Sequence, residues 1–151
     1  MTMSPSTPEG SVHASGPILV GIDGSPGSIA ALRWAAEEAR CHDRALTVLY
    51  AFAPIASYGY PLAPVPDMIE AFTEGAENAL DEALAEVFGD KRPEGVRREV
   101  QQGNPAAVLI EASQHAGLLV VGARGHGHFL LGSVSDRCVH HAHCPVVVVR
   151  N

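Results

Sequence analysis

The sequence has few cysteines and no long apolar run, and each shortage excludes a class of protein. Its three cysteines, Cys41, Cys138 and Cys144, are odd in number and irregular in spacing, which excludes a disulfide framework and favours a reducing cytoplasm. No apolar run approaches the length that crosses a bilayer. Residues 1–16 lack the basic start and the apolar stretch of a signal peptide. We therefore expect a cytoplasmic protein with no membrane partner.

Positive charge is also scarce. The 10 lysines and arginines are outnumbered by 17 aspartates and glutamates, and the formal net charge of −7 disfavours nucleic acid as a partner. A small anionic ligand remains compatible, because backbone amides bind phosphate without side-chain charge. With 151 residues, the chain is expected to form one domain over 17–151. The tail over 1–16 is rich in Ser, Pro and Gly and is predicted to be disordered.

What the sequence does contain is a strict alternation of apolar runs and helical patterns. Strands are predicted at 17–23, 45–52, 96–101, 118–122 and 145–150. Helices are predicted at 26–40, 67–88, 105–115 and 133–141, with a long proline-containing loop over 53–66. This order predicts an α/β fold with an open, doubly wound, Rossmann-like parallel sheet of five strands. Such sheets bind ligands beyond the carboxyl ends of their strands, where the winding reverses.

The loop after the first strand is a candidate for ligand binding. It has the sequence Gly21-Ile22-Asp23-Gly24-Ser25, and a carboxylate at the carboxyl end of a strand can accept hydrogen bonds from a ribose or a base. Glycines there allow the backbone to approach a ligand closely. A helix-capping turn is the alternative, because Ser25 followed by Pro26 would explain this loop alone.

The loop after the fourth strand is a second candidate. Its glycines, between Gly122 and Gly132, would free backbone N–H groups, and the helix that begins near Ser133 would present its positive end to the same space. Together they would suit phosphates. A flexible loop with a capping serine is the alternative. The loop contains neither the P-loop pattern nor G-x-G-x-x-G.

Five segments carry a specific resemblance: PILVGIDGS, NPAAVLIEAS, LLVVGARGHG, LGSVSD and HHAHCPVVVVR. Through them the chain resembles the universal stress protein family from about Gly16 to Arg150. The resemblance implies a sheet of strand order 3-2-1-4-5 and a homodimer. Many members bind ATP through a G-x2-G-x9-G-[ST] motif, so the implied cofactor is ATP, with or without Mg²⁺, or another adenine nucleotide.

The resemblance also implies a set of binding residues. Asp23 would meet the adenosine, and Ala51 would lie beside adenine through its backbone. Gly122 and Gly125 would be the first two glycines of the motif. The whole implied set is Asp23, Ala51, Gly122, Arg124, Gly125, Gly127, Gly132, Ser133, Val134 and Ser135. No nucleophile–base pair is evident in the sequence, so we expect a regulatory or stress-response module with at most slow ATP hydrolysis.

One departure from the family pattern leaves an alternative open. Six residues, HGHFLL, separate Gly125 from Gly132, where the ATP-binding pattern has nine. This shortening favours a nucleotide-free structural or interaction dimer of the same fold. An adenylating enzyme would need a phosphate loop of the S-G-G-x-D-S kind after the first strand, and the residues from Gly24 to Gly27 do not supply it.

Three further features complete the expectations. No metal site is expected among the C-terminal histidines, because His140 and His141 are adjacent on a helix and point in different directions. Trp34 is predicted to lie in the core or at an interface. The apolar last strand, Val146 to Val149, would form an edge of the sheet, and an apolar edge predicts a homodimer through this strand.

Overall fold

The computed structural model describes residues 16–53, 66–123 and 131–151. In these ranges the predicted alternation is confirmed. The strands are β1 (Ile18–Ile22), β2 (Leu46–Phe52), β3 (Val96–Gln102), β4 (Leu118–Gly122) and β5 (Val146–Val149). The helices are α1 (Pro26–Cys41), α2 (Pro66–Phe88), α3 (Pro105–Ala112) and α4 (Ser133–His141). The predicted N-terminal tail, most of the proline-containing loop and most of the glycine loop lie outside the described residues.

The third helix differs slightly from its prediction, because its last predicted turn is a separate 3₁₀ turn over Ser113–His115. The hydroxyl of Ser113 forms hydrogen bonds at this 3₁₀ turn. The Ser113 side chain donates to the carbonyl of Ile110 and accepts from the amide of His143, which ties this turn to the segment before β5. Such competition between side chain and backbone is typical of serine near a helix end.

The five strands form one parallel sheet in the order β3-β2-β1-β4-β5, as predicted. The chain moves outward from β1 to β3, then returns to the other side of β1 for β4. Val20 of β1 therefore lies between Val48 of β2 and Val120 of β4. The winding reverses between β1 and β4, and this is where a ligand crevice is expected in such a sheet.

Each face of the sheet has its own hydrophobic core. Ile18 and Val20 point to the face covered by α1 and α2, where they pack with Leu32 and Leu80. The next residue along β1, Leu19, points to the face covered by α3 and α4. Burial on both faces explains why the inner strands are apolar throughout. The more polar β3 lies at an edge, as the implied strand order 3-2-1-4-5 requires.

Helix α2 extends farther than its neighbour α1 from the place where the two helices meet. The Arg33 guanidinium of α1 lies 3.5 Å from the Glu86 carboxylate of α2, so the two helices are adjacent at these residues. At 1.5 Å per residue, α1 begins about 10 Å before that contact and α2 about 30 Å before it. The apolar side chains of the first turns of α2, such as Met68 and Phe72, are consequently exposed, and burial begins at Ala76. No described helix has both the length and the apolar content needed to cross a membrane.

Trp34 is not a core residue. Its side chain, on α1, is 37% exposed. The core positions of that helix are instead taken by smaller residues, including Ala31, Leu32 and Ala35. The predicted core location is therefore wrong, and the predicted interface location remains a prediction.

The three cysteines are free and differ in exposure: Cys41 is exposed, Cys144 half-buried and Cys138 buried. Burial raises the pKa of the Cys138 thiol to about 11. We therefore expect iodoacetamide at pH 8 to label Cys41 and to leave Cys138 unlabelled until urea is added, because the thiolate is the reactive form. Peptide mass spectrometry measures this. Labelling of both at equal rates in the native protein would contradict it.

Candidate functional site

A pocket opens at the carboxyl edge of the sheet, between β1 and β4. Its volume is about 350 Å³, within the range of small-molecule sites. Strands β1, β2 and β4 form its floor, and the first turns of α1, α3 and α4 form its walls. The lining residues are Gly21, Ile22, Asp23, Ser25, Ser28, Leu49, Ala51, Pro105, Leu109, Val121, Gly122, Gly132, Ser133, Val134 and Ser135.

The structure brings seven of the ten predicted binding residues to this one pocket. They are Asp23, Ala51, Gly122, Gly132, Ser133, Val134 and Ser135. The other three, Arg124, Gly125 and Gly127, lie outside the described residues. The parallel strands explain the convergence, because segments distant in sequence all begin at the carboxyl ends of neighbouring strands.

Asp23 follows β1 and is exposed at the mouth of the pocket. Its Oδ1 accepts a hydrogen bond from the Ser25 amide at 2.8 Å, and its own amide donates to Ser28 Oγ at 3.3 Å. Gly24, between these partners, has φ +83°, which the turn requires and which favours glycine. The turn thus fixes the carboxylate while leaving its other oxygen without a hydrogen-bond partner among the described residues.

The charge of Asp23 is felt by a neighbouring residue of β2. The pKa of Tyr50 is raised, first by burial of its ring and then by the negative charge of Asp23. An anionic tyrosine is therefore disfavoured here, and Tyr50 stays neutral across the physiological range. Among the described lining residues, Asp23 is the only charged side chain.

The floor of the pocket is apolar. Leu49 and Ala51 come from β2, Val121 comes from β4, and Leu109 reaches over from α3; all four are buried. Such a surface favours a flat, weakly polar group such as a nucleobase. Of these four residues the sequence indicated only Ala51. Leu109 was missed because its helix follows β3, which is remote from the pocket.

Gly122, at the end of the pocket floor, allows β4 and α1 to pack closely. A methyl group on its α-carbon would lie 2.7 Å from the carbonyl oxygen of Gly27 and 2.8 Å from the carbonyl carbon of the same residue. The end of β4 and the first turn of α1 can therefore meet only if residue 122 is glycine. A role in packing is enough to explain this glycine, whether or not a ligand contacts it.

The N-terminus of α4 differs from the two other described helix starts at the pocket. Ser25 caps α1 by accepting from the Ser28 amide, and Asn104 caps α3 by accepting from the Ala107 amide. Gly132 occupies the same position before α4 and has no side chain to contribute. Among the described residues, the first-turn amides of α4 thus have no side-chain acceptor, at the positive end of the helix.

Ser135 holds the two ends of the glycine loop together. Its hydroxyl, on a side chain that is 2% exposed, lies 3.0 Å from the carbonyl oxygen of Ala123 and 2.9 Å from that of Gly132. The Gly132 amide also donates to Ala123 at 2.7 Å. These bonds hold the described ends of the loop, Ala123 and Gly132, next to each other. In this arrangement the Ser135 hydroxyl is already engaged, so its backbone amide is the group left for a ligand.

The chain is similar to known proteins along most of its length. The model of the universal stress protein family matches residues 15–150. The chain belongs to the universal stress protein family. A universal stress protein of Mycolicibacterium smegmatis is 40% identical over 139 residues, which cover 87% of this chain and 47% of that protein. The chain spans about half the length of the curated relatives it matches.

Solved structures of the family share its fold. The UspA protein of Lactobacillus plantarum has a TM-score of 0.70 at 24% identity, covering 90% of this chain and 98% of that one. A universal stress protein of Archaeoglobus fulgidus, solved in complex with dAMP, has a TM-score of 0.60 at 25% identity, covering 88% and 96%. An Arabidopsis thaliana member with AMP bound has a TM-score of 0.61 at 23% identity, covering 90% and 92%.

Proposed function

We propose that this universal stress protein domain binds an adenine nucleotide, with ATP as the principal ligand. The observation that carries the proposal is the arrangement of the pocket: a fixed carboxylate at Asp23, an apolar floor, and the uncapped amides of α4 all face one space. Family members solved with dAMP and AMP support the choice of an adenine nucleotide.

Each part of the nucleotide would meet a different part of the pocket. Adenine would lie on the apolar floor beside the backbone of Ala51, and the ribose hydroxyls would donate to Asp23. The phosphates would accept hydrogen bonds from the amides of Ser133–Ser135, where the helix end favours negative charge. With one charged side chain in the described lining, and that one acidic, phosphate affinity would depend on amides, on residues of the glycine loop such as Arg124, and on Mg²⁺ if it accompanies ATP.

We propose a regulatory rather than a catalytic role. The buried hydroxyls of Ser28 and Ser135 are hydrogen-bonded to main-chain carbonyls, and no described lining residue is a histidine or cysteine that could act as base or nucleophile. Nucleotide hydrolysis would therefore be slow at most. Nor do the described residues bring three His, Cys, Asp or Glu side chains together as a metal site.

We propose that the protein is cytoplasmic and that its partner is not a nucleic acid. Three free cysteines, one of them exposed, fit a reducing cytoplasm. The net charge of −7 argues against nucleic acid as a partner. The partner proposed instead is a second copy of this chain, described below.

Calorimetric titration tests the nucleotide proposal. ATP, AMP, cyclic AMP and adenosine are titrated with and without Mg²⁺, and GTP serves as the control for base specificity. The expected result is binding of the adenine compounds and weaker binding of GTP. Absence of heat for every adenine compound, together with no nucleotide released when the purified protein is denatured, would leave the nucleotide-free dimer as the function.

The second part of the proposal is a homodimer formed through β5. This strand lies at the free edge of the sheet. The carbonyl of Pro145 accepts from the Leu119 amide of β4 at 2.9 Å, and the carbonyl of Val149 accepts from the amide of Ala123, just after β4, at 2.8 Å. Val147, between them, therefore also faces β4. The backbone groups of Val146 and Val148 consequently face outward, where an antiparallel β5 of a second copy can pair with them.

Val148→Pro is expected to shift the protein toward monomer, because proline removes the outward N–H while the bonds to β4 remain. Val148→Ala is the matched control: it also loses packing but keeps that N–H. Sedimentation at tens of micromolar measures the outcome. A monomeric wild type, or a Val148→Pro protein as dimeric as Val148→Ala, would contradict pairing through β5.

A further inference from the structure

We infer that Trp34 and Val139 flank the free edge of β5 on its two sides and form, together with Val146–Val149, one apolar strip that docks onto the same strip of a second copy. The inference rests on the proposed β5 dimer and adds to it the side chains that anchor it. Trp34 and Val139 are among the few large apolar side chains that are exposed, at 37% and 46%.

Trp34 lies on the flank of α1 that is turned toward β5. The face of α1 turned to the sheet is set by Ala31, Leu32 and Ala35, which are fully buried. At 100° per residue, Arg33 and Trp34 fall on opposite flanks of that face. Arg33 reaches Glu86 of α2, which covers the β2 and β3 side. The flank with Trp34 is therefore the one facing β4 and β5, on which α1 also packs.

Val139 occupies the corresponding place on the other face of the sheet. The buried residues Ser135 and Cys138 define the face of α4 turned to the sheet. Arg137 lies on the flank toward α3, where it reaches Asn104 at 3.4 Å. Val139 falls on the opposite flank by the same helical geometry. Helix α4 packs on β5, and α3 packs on β2, farther from that edge of the sheet. The flank of α4 that is turned away from α3 therefore lies next to the β5 edge.

Strand pairing alone is too small to hold two copies together. β5 has four residues, about 13 Å of strand, whereas stable interfaces bury about 1,200 Å² or more in total. The four valines are each only half-buried, and they alternate between the two cores, Val147 and Val149 toward α1, Val146 and Val148 toward α3 and α4. Trp34 and Val139 extend this apolar surface on both faces, and tryptophan is the residue that most often dominates such contacts.

A second copy is the occupant that the strip fits best. The other free edge of the sheet, β3, carries Arg97, Arg98 and Glu99, and charges of this kind guard an edge against pairing. A β5-to-β3 contact would also repeat without closing and form a filament. Pairing of β5 with β5 gives a closed assembly of two copies. It also places the Trp34 flank of each copy beside the β5 edge of the other copy.

Replacing Trp34 by alanine tests the inference. Trp34→Ala is expected to raise the dimer dissociation constant about tenfold or more, measured by sedimentation, with little change in thermal stability because the side chain is not in the core. The control is Phe72→Ala, an apolar residue of α2 with the same 37% exposure. Its dissociation constant should equal that of the wild type. Val139→Lys should weaken the dimer as well.

Trp34 is the single tryptophan, so its fluorescence reports the contact directly. On dilution through the dissociation constant, acrylamide quenching should increase and the emission maximum should move to longer wavelength. A monomeric wild type would contradict the β5 dimer itself. A different outcome would overturn only this inference and leave the β5 dimer in place. In that outcome Val148→Pro dissociates the dimer, Trp34→Ala leaves the dissociation constant unchanged, and dilution leaves the quenching of Trp34 unchanged.

Discussion

Replacing Gly122 with alanine is expected to lower the free energy of unfolding by about 1–3 kcal/mol, because the new methyl group has no room. It would lie 2.7 Å from the carbonyl oxygen of Gly27, which belongs to the backbone of α1 and cannot rotate away. Relief requires α1 to move off β4. Nucleotide affinity should fall as well, since that movement shifts the Asp23 turn at the start of the same helix. Urea unfolding and calorimetric titration measure the two effects.

Gly75→Ala is the matched control for this substitution. Gly75 lies inside α2, is exposed, and the added methyl group would have no atom within 4 Å apart from the local backbone of its own helix. The same chemical change should there raise stability by about 0.5–1 kcal/mol, because glycine weakens a helix interior. If Gly122→Ala proved as stable as the wild type, the tight contact between β4 and α1 would not exist in solution.

Removal of the Asp23 carboxylate is expected to weaken adenine nucleotide binding by about 1–3 kcal/mol, or roughly 5- to 150-fold, while the fold survives. The carboxylate would accept the ribose hydroxyls, and alanine leaves them unpaired in the complex. Asp23 is exposed in the free protein, so no core contact is lost. Titration of ATP into Asp23→Ala and wild type, with thermal unfolding of both, gives the result.

Two controls separate charge, turn geometry and ligand contact. Asp90→Ala removes the same charge from an exposed site after α2, away from the pocket, and should bind ATP like the wild type. Asp23→Asn keeps an oxygen that can accept from the Ser25 amide, so it preserves the turn. If Asp23→Asn binds as weakly as Asp23→Ala, the carboxylate itself contacts the ligand. Wild-type affinity in Asp23→Ala would remove this residue from the site.

Local sequence determined the elements of this fold and most of their limits. Capping residues and prolines gave the starts of α1 and α3, because Ser25 and Asn104 bond to amides that lie only three residues further along the chain. The apolar strands predicted a sheet buried on both faces. Seven of the residues that family motifs indicated do line one pocket, since parallel strands bring their carboxyl ends to a common edge.

Other features depended on contacts between segments far apart in the sequence. The close approach of Gly122 to Gly27 joins β4 to α1, and the exposure of Phe72 follows from how far α2 extends past α1. Nothing within a few residues of Leu109 or Trp34 indicates that one lines a pocket and the other faces solvent. Sequence by itself determined which segments are helix, strand or turn, because those preferences act over a few residues. Only the tertiary structure decided which side chains meet, because burial is set by the neighbours that the sheet order brings together.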